Sequence, residues 1–500
     1  MLTISLFAAI GGAAAMLLRW ELLTPEADLM FADIFNRLFT GHGTTMVYLF
    51  LIPAMLGVLG NFLIPLMIGA RNMAFPRLNL ITWYIFVVGA MSTILVAANG
   101  GVDTGWTFYT PYSTTFTVTD VSTTILLTVI SMLAMILLAI NIVFTIHRQR
   151  VKGLTWSRLP ILVWAYYVTS IVMIVGAPFG FIATVLQALE RAAQVGIVDP
   201  TYGGNPLLYE QLFWLFAHSA VYIMILPAIG IVSEIIAAFT KKRLFGHKGI
   251  VYAMFALAVL MLFSWGSHLF ASDQSVFANL MFSTASFLTA VPLAVILLSW
   301  AASLKHGENI ISAPMLFALV VILSLLKSII SGLVLSSPVT GSYLSGTQYG
   351  TAHFHFLVVG VATASFLAAV HFWWPKATGR MYSQKWAKIT ALTVLVGVFM
   401  AFAPGCLLGL AGMRARINAY PVEFQFLNQV ALMGALILGL GFTLPVLYLL
   451  GSLFVGEKVG PNPWRAKGLE WQTLSPPHER NFHGRAIIVE EAYAYPPQTS

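Results

Sequence analysis

Charge and cysteine are the scarcest features of this 500-residue chain. Only 9% of its residues are charged and 59% are hydrophobic, whereas a soluble domain carries about 25% charged residues. That excludes a water-soluble globule and leaves a polytopic membrane protein. The single cysteine, Cys406, excludes an intrachain disulfide framework, paired-cysteine zinc sites and a CxxCH haem attachment. No basic residue precedes Arg19, so the apolar start from Met1 to Leu18 lacks the positive leader of a signal peptide and is read as a first transmembrane helix. A nucleic-acid footprint is missing as well. The formal charge of +8 resides in short loops between apolar runs, which is the mark of membrane topology.

What is present is a series of apolar runs long enough to cross about 30 Å of hydrocarbon. Twelve fall near 2–19, 44–69, 79–99, 122–146, 160–187, 211–240, 249–271, 275–304, 312–335, 350–374, 387–412 and 427–455. Backbone polar groups in lipid must be satisfied within their own segment, so each run is expected to be a helix. The expected fold class is therefore an all-α polytopic membrane protein with twelve transmembrane helices. After Gly456 the chain turns polar and proline-rich (Pro461, Pro463, Pro476, Pro477, Pro496, Pro497). Residues 1–456 are thus expected to form one membrane domain and 457–500 an extended cytoplasmic tail, with no second soluble domain.

Loop charge sets the orientation. Arg71/Arg77, Arg148/Arg150/Lys152/Arg158, Lys241/Lys242/Arg243/Lys248, Lys305 and Lys376/Arg380/Lys385/Lys388 all fall on one side. The opposite loops hold chiefly Arg37, Arg191, Arg414 and Arg416. The positive-inside rule then places both termini in the cytoplasm of a multi-pass protein, read as one of a prokaryotic plasma (inner) membrane.

Threaded this way, His42, His218, His268, His353 and His355 all lie at one depth, in the outer part of the membrane. His42 precedes the second span, His218 lies about two turns into the sixth, His268 lies near the end of the seventh, and His353 and His355 open the tenth. An ionisable residue inside a membrane is a functional-site hypothesis by default, and neutral imidazole is a usual ligand of haem iron and of copper. Interhelical hydrogen bonding is the plain alternative for any one of them. The set at a common depth points to a buried metal centre. At about 100° per residue, His353 and His355 face opposite ways and serve two centres on either side of the tenth span. His218 and Tyr222, four apart, share a face that Trp214 extends by a turn. A metal held by His218 would have a phenol beside it, with His268 as the candidate second ligand.

At this point the motifs become specific. LFTGHGTTMVYLFLIPAMLGVLGNFLIPLMIGARNMAFPRLN, GWTFYTPYS, WLFAHSAVYIMILPAIGIVSE, AHFHF, WWPKATGRMY and GLAGMRARI occur in that order. From the first span to Asn462–Trp464 the chain resembles subunit I of the haem–copper oxidases, the cytochrome c oxidase type. The resemblance implies a bundle holding two haems and copper. It makes His42 and His355 axial ligands of a low-spin haem, and His353 the proximal ligand of a high-spin haem with its other face open. His218 and His268 match copper ligands facing that iron. Tyr222 matches a tyrosine cross-linked to the ligand at His218, which donates a proton and an electron when the O–O bond breaks. Arg416 and Arg414 would pair with haem propionates, since a guanidinium fork suits carboxylates.

The chain departs from the family pattern at functional positions. Ser267–His268 stands where relatives carry two adjacent histidines, so one copper ligand is missing and the implied copper is held more weakly. Ser219 and Ala220 replace a proline and a glutamate, and Phe216–Ala217 an alternative Tyr–Ser pair. Asn72 and Leu80 replace an aspartate and an asparagine of one proton channel, and Ile296 the lysine of another. Ser345–Gly346 replaces a His–Asp magnesium pair and Ala415 one of two arginines. Each lost titratable group removes a proton station, so proton pumping is expected to be reduced or lost.

Two charged residues stand out inside spans. Glu234 is the only carboxylate expected there. Lys327, in SLLKSIISG, is read as a replacement proton relay or as a partner of Glu234 or a cofactor carboxylate, against the alternative of snorkelling to an interface. His147, His247, His306, His478 and His483 fall in loops or the tail and His371 closes the tenth span; surface or interface roles are expected for all six.

The implied activity is reduction of O2 to water by a respiratory terminal oxidase. Two alternatives remain open: nitric oxide reduction at the same iron, with which Ser267, Asn72, Ala220 and Ile296 are compatible, and a haem-bearing electron-transfer subunit without turnover. With no paired-cysteine copper site in the chain, electrons are expected to enter through a partner. Family precedent makes that a subunit II, supplied by cytochrome c or another donor.

Overall fold

The computed structural model describes residues 2–305, 307–482 and 487–495; the expectations for His306, His483, Pro496 and Pro497 fall outside them. Twelve helices are long and apolar enough to span a membrane: α1 (Leu2–Glu21), α2 (Ala32–Met67), α3 (Pro76–Ala98), α4 (Val121–Arg148), α5 (Ile161–Ala193), α6 (Pro206–Thr240), α7 (His247–Leu269), α8 (Val276–Leu304), α9 (Ala313–Ser336), α10 (Gln348–Thr378), α11 (Gln384–Leu410) and α12 (Val422–Val455). Short helical turns link them, and the only β-pairing among the described residues is isolated bridges. The protein is an all-α, twelve-span bundle, as the apolar runs required.

Helix starts are written into the polar residues between the runs. Asp120, Asn205, Ser275, Ser312, Thr347 and Ser383 each accept a first-turn N–H with the side chain, satisfying donors that have no partner within the helix. Hydropathy misplaced the start of α2 most. α2 begins at Ala32, so His42 lies inside the helix rather than ahead of it. The turns ADIFNRLFTGHGT are too polar to register as a span, yet they pack on α1. The same overrun puts Glu190 inside α5 and Glu210 inside α6, so Glu234 is not the sole carboxylate within a span.

α6 is the axis of the bundle. Every side chain from Ile223 to Thr240 is buried, so other elements enclose that half on all sides. The tail after Val455 folds back over the lysine- and arginine-rich end. Trp464 Nε1 donates to Phe372 O at 2.8 Å, Lys376 Nζ to Thr473 O at 2.8 Å, and Tyr493 Oη to Glu234 Oε1 at 2.6 Å. Glu234 is thus bound by the tail and not by Lys327. His371 also departs from expectation: it is fully buried, with Nε2 2.5 Å from Tyr448 Oη, and has no surface role.

Missing side chains set how closely helices approach. A Cβ at Gly409 of α11 would come within 2.2 Å of Tyr349 N, and one at Gly405 within 3.0 Å of Ala352 Cβ. These two glycines seat the first turns of α10, which carry His353 and His355. Gly409→Val is expected to drive α10 off α11 and cost about 1–3 kcal/mol or more from overpacking. Gly350→Ala, on α10 itself but with nothing within 4 Å of the added atom, is the control. Thermal unfolding of the purified protein should show a lower midpoint for the first variant only.

Candidate metal centre

His42 and His355 face one another across the gap between α2 and α10. Their rings are parallel to within 2° with centroids 6.2 Å apart, too far for van der Waals stacking, which brings atoms to about 3.5–4 Å. His42 Nδ1 lies 2.9 Å from Gly11 O, and His355 Nδ1 lies 2.7 Å from Thr351 O. A carbonyl can only accept, so each Nδ1 carries the hydrogen and each Nε2 keeps its lone pair. Neither Nε2 bonds another described residue. Two metal–nitrogen bonds of about 2 Å, plus roughly 1 Å from each nitrogen to its ring centre, span about 6 Å. The pair therefore fits a single metal held axially between two imidazoles.

Local backbone makes this possible. A Cβ at Gly11 would meet Met46 Sδ at 2.7 Å, so with glycine there α1 packs against α2 without displacing Met46, and its carbonyl reaches His42. Beyond the histidines both helices widen into π-type turns, at Thr45–Leu51 and Pro53–Leu59 in α2 and at Phe356–Thr363 in α10. Such turns are frequent at functional sites.

His353 points the other way, towards α9, where its Nδ1 lies 2.9 Å from Ser331 Oγ. The opposite-face expectation for His353 and His355 holds. On α6, Trp214, Leu215, His218, Val221 and Tyr222 stay partly accessible while Phe213, Phe216, Ala217, Ser219 and Ala220 are buried. The accessible set forms one face, which ends where the fully enclosed half begins.

That face holds the second candidate site. His218 Nδ1 lies 3.0 Å from His268 Nε2; two bonds of about 2 Å at a near-tetrahedral angle place ligand atoms about 3 Å apart. Trp214 stacks on His268 at 3.8 Å and 8°, and the Tyr222 ring is 5.3 Å from that of His218. His353 is close enough to interact electrostatically with both His218 and His268. No group of three His, Cys, Asp or Glu side chains suited to a metal occurs among the described residues. Ser267 does not fill the gap: its hydroxyl donates to Ser264 O, at 2.8 Å.

Arg416 Nη2 donates to Thr104 O at 3.3 Å, and its guanidinium lies 4.8 Å over Phe39, one turn before His42. A Cβ at Gly105 would fall 2.2 Å from that nitrogen, and Gly105 has φ +80°, so the approach needs glycine twice over. Arg416 makes no ion pair with a carboxylate of the described residues, which leaves it free to meet one on a ligand. Arg414 bridges to Thr347, the cap of α10, and is exposed.

Sequence reasoning missed several partners. Trp106 lies against Gly43 of α2 and its ring is 5.9 Å from Phe354 and 6.3 Å from Trp214, so it sits between the two centres. Ser264 lies 2.8 Å from His218 Nε2 and also beside Tyr222. Tyr109 accepts the Trp214 indole N–H. Lys327 donates to Cys406 Sγ at 3.4 Å, with its ammonium 5.1 Å from the Phe356 ring centre. A serine inside an apolar run carries no mark of which neighbouring helix it will face.

The chain is similar to known proteins along its length. The family model for cytochrome c and quinol oxidase polypeptide I matches residues 1–437. Cytochrome c oxidase subunit 1 of Thermostichus vulcanus is 33% identical over 99% of this chain and 90% of its own length. The same subunit of Synechocystis sp. is 35% identical over 98% and 88%. A haem–copper terminal oxidase dimer solved by cryo-EM superposes with a TM-score of 0.77 at 19% identity, covering 95% of this chain and 85% of that one; at that identity the likeness speaks for the fold.

The outer loop that carries Trp106 is pinned by hydroxyl–carboxylate bonds. Asp199 accepts from Thr114 and Thr115 at 2.5 Å each, and Asp103 from Tyr112 and Thr117 at 2.7 Å each. Burial alone would raise the Asp199 carboxyl, but these hydroxyls outweigh it and hold the group below its ordinary value. A depressed carboxylate stabilises fully above the unfolded pKa of about 3.9 and ceases to as pH falls through the folded value. The Asp199 contribution to thermal stability should therefore be flat near neutrality and be lost as pH falls below about 4. Asp199→Ala is expected to cost about 1.5–3 kcal/mol at pH 7 and to flatten that acid limb, as read by unfolding midpoints across pH.

Proposed function

Because the chain belongs to the cytochrome c and quinol oxidase polypeptide I family, we propose how its own residues carry out that family's chemistry. It is the catalytic subunit of a haem–copper terminal oxidase of the cytochrome c oxidase type, an oxidoreductase and a multi-pass membrane protein that works within a multi-subunit respiratory complex. When bound, haem and copper supply the electron transfer and the reduction of O2. In our reading His42 and His355 hold the low-spin haem and His353 holds the high-spin haem. His218 and His268 hold copper, with Trp214 stacked on His268. Tyr222 keeps a proton beside His218, and Arg416, with Arg414 at the rim, meets the haem carboxylates. The observation that carries this reading is the parallel His42–His355 pair, with both Nδ1 atoms engaged and both Nε2 atoms free.

The rest of the reading follows from charge and composition. The basic loops favour a prokaryotic plasma membrane with both termini inside, residues 1–456 as the haem-binding transmembrane domain and 457–500 as a cytoplasmic tail. Electrons enter through a partner of the subunit II kind, from cytochrome c or another donor. Trp106 and Phe354 close the space between the two centres to water.

The two-imidazole copper site gives nitric oxide reduction a specific footing as the second reading, since a weakly held second metal changes the chemistry at the same iron. An optical and metal assay of the purified complex is the test. Two haems per chain with copper that a chelator strips readily are expected, and Ser267→His should raise retained copper towards one per chain. Two haems with no copper under any preparation would favour the second reading, and an absent Soret band would overturn both. Replacement of the proton stations by Asn72, Ala220 and Ile296 also leads us to expect O2 reduction with little outward proton release. Reconstituted vesicles given a pulse of O2 would contradict this by acidifying the outside as strongly as a pumping oxidase.

A further inference from the structure

Ser331 is fully buried on α9. Its Oγ lies 3.0 Å from Lys327 O, 3.2 Å from Ser328 O and 2.9 Å from His353 Nδ1. A hydroxyl has one proton to give, and carbonyl oxygens can only accept. With two carbonyls in reach of that proton, the Ser331 oxygen is able to accept from His353 Nδ1. In that arrangement His353 carries hydrogen on Nδ1 and a lone pair on Nε2. A second feature of α9 points to the same ring: a Cβ at the next residue, Gly332, would come within 3.2 Å of His353 Cε1. The helix offers the imidazole a hydroxyl at one edge and an absent side chain at the other.

We propose that Ser331 is the positioning residue of the His353 imidazole, fixing its tautomer and setting how strongly Nε2 donates to the metal it holds. The inference rests on the reading of His353 as a haem ligand and deepens it. Partners of the distal ring nitrogen tune ligand basicity. A neutral hydroxyl withdraws the Nδ1 hydrogen less than a carboxylate does, because bonds to charged acceptors are about twice as strong. His42 and His355 give their Nδ1 hydrogens to main-chain carbonyls, of Gly11 and Thr351. Of these three imidazoles only His353 has its Nδ1 partner on a replaceable side chain.

The test is the iron–imidazole stretching band of the ferrous, ligand-free complex, read by resonance Raman. Ser331→Ala should shift the band to lower frequency and Ser331→Asp to higher, while Ser331→Thr, which keeps the hydroxyl, should leave it in place. Loss of the high-spin haem from Ser331→Ala but not from Ser331→Thr also supports the proposal, and this pair decides alone if the aspartate variant does not assemble. A band at the wild-type frequency in both the alanine and aspartate variants overturns the proposal and leaves the ligand assignment standing. A wild-type complex without the band, or a band that survives His353→Ala, overturns the assignment and the proposal together.

Discussion

A buried imidazole has two nitrogens, and the fate of one decides what the other can do. At His42, His355 and His353 the protein engages Nδ1 with a carbonyl or a hydroxyl, and among the described residues nothing bonds Nε2. The three lone pairs are thereby left for a ligand to take up. The bends, close contacts and widened turns around them serve to hold those rings in place.

The means of holding them are mostly absences. Gly11, Gly43, Gly105, Gly332, Gly405 and Gly409 each stand where a Cβ would strike a neighbour or crowd a functional ring. Between membrane helices there is no hydrophobic drive of the kind that compacts soluble cores, and close van der Waals packing takes its place. Close packing needs small residues, and here they lie where the ligand-bearing helices meet their neighbours. The two pinned carboxylates of the outer loop do comparable work outside the bundle by fixing the loop that carries Trp106.

The centre is otherwise pared down. Two imidazoles stand at the second metal, and Ser267, in the place of a third, turns its hydroxyl to its own backbone. Lys327 is neither a partner of Glu234 nor a snorkelling residue. Its ammonium is lodged between Cys406 and the Phe356 ring, and its carbonyl receives the Ser331 hydroxyl that serves His353. Glu234 is engaged at the opposite end of the bundle by Tyr493 of the tail. These two charged groups inside the spans are thus each held by a particular neighbour.

The amino-acid sequence alone determined the number of spans, because crossing about 30 Å of hydrocarbon demands apolar length and helical hydrogen bonding whatever the neighbours do. It also determined that His353 and His355 face opposite ways and that His218, Tyr222 and Trp214 share a stripe, since those relations lie within one helix and follow its pitch. It placed the start of α2 too late because polar turns packed on α1 leave no hydropathy signal, and it gave His371 a surface or interface role for want of Tyr448. Only the tertiary structure decided the pairings between helices: Ser331 with His353, Ser264 with His218, Cys406 with Lys327, and Gly11 with His42. Those contacts depend on how far each helix is rotated and how near it comes, which the periodicity of a single segment does not encode.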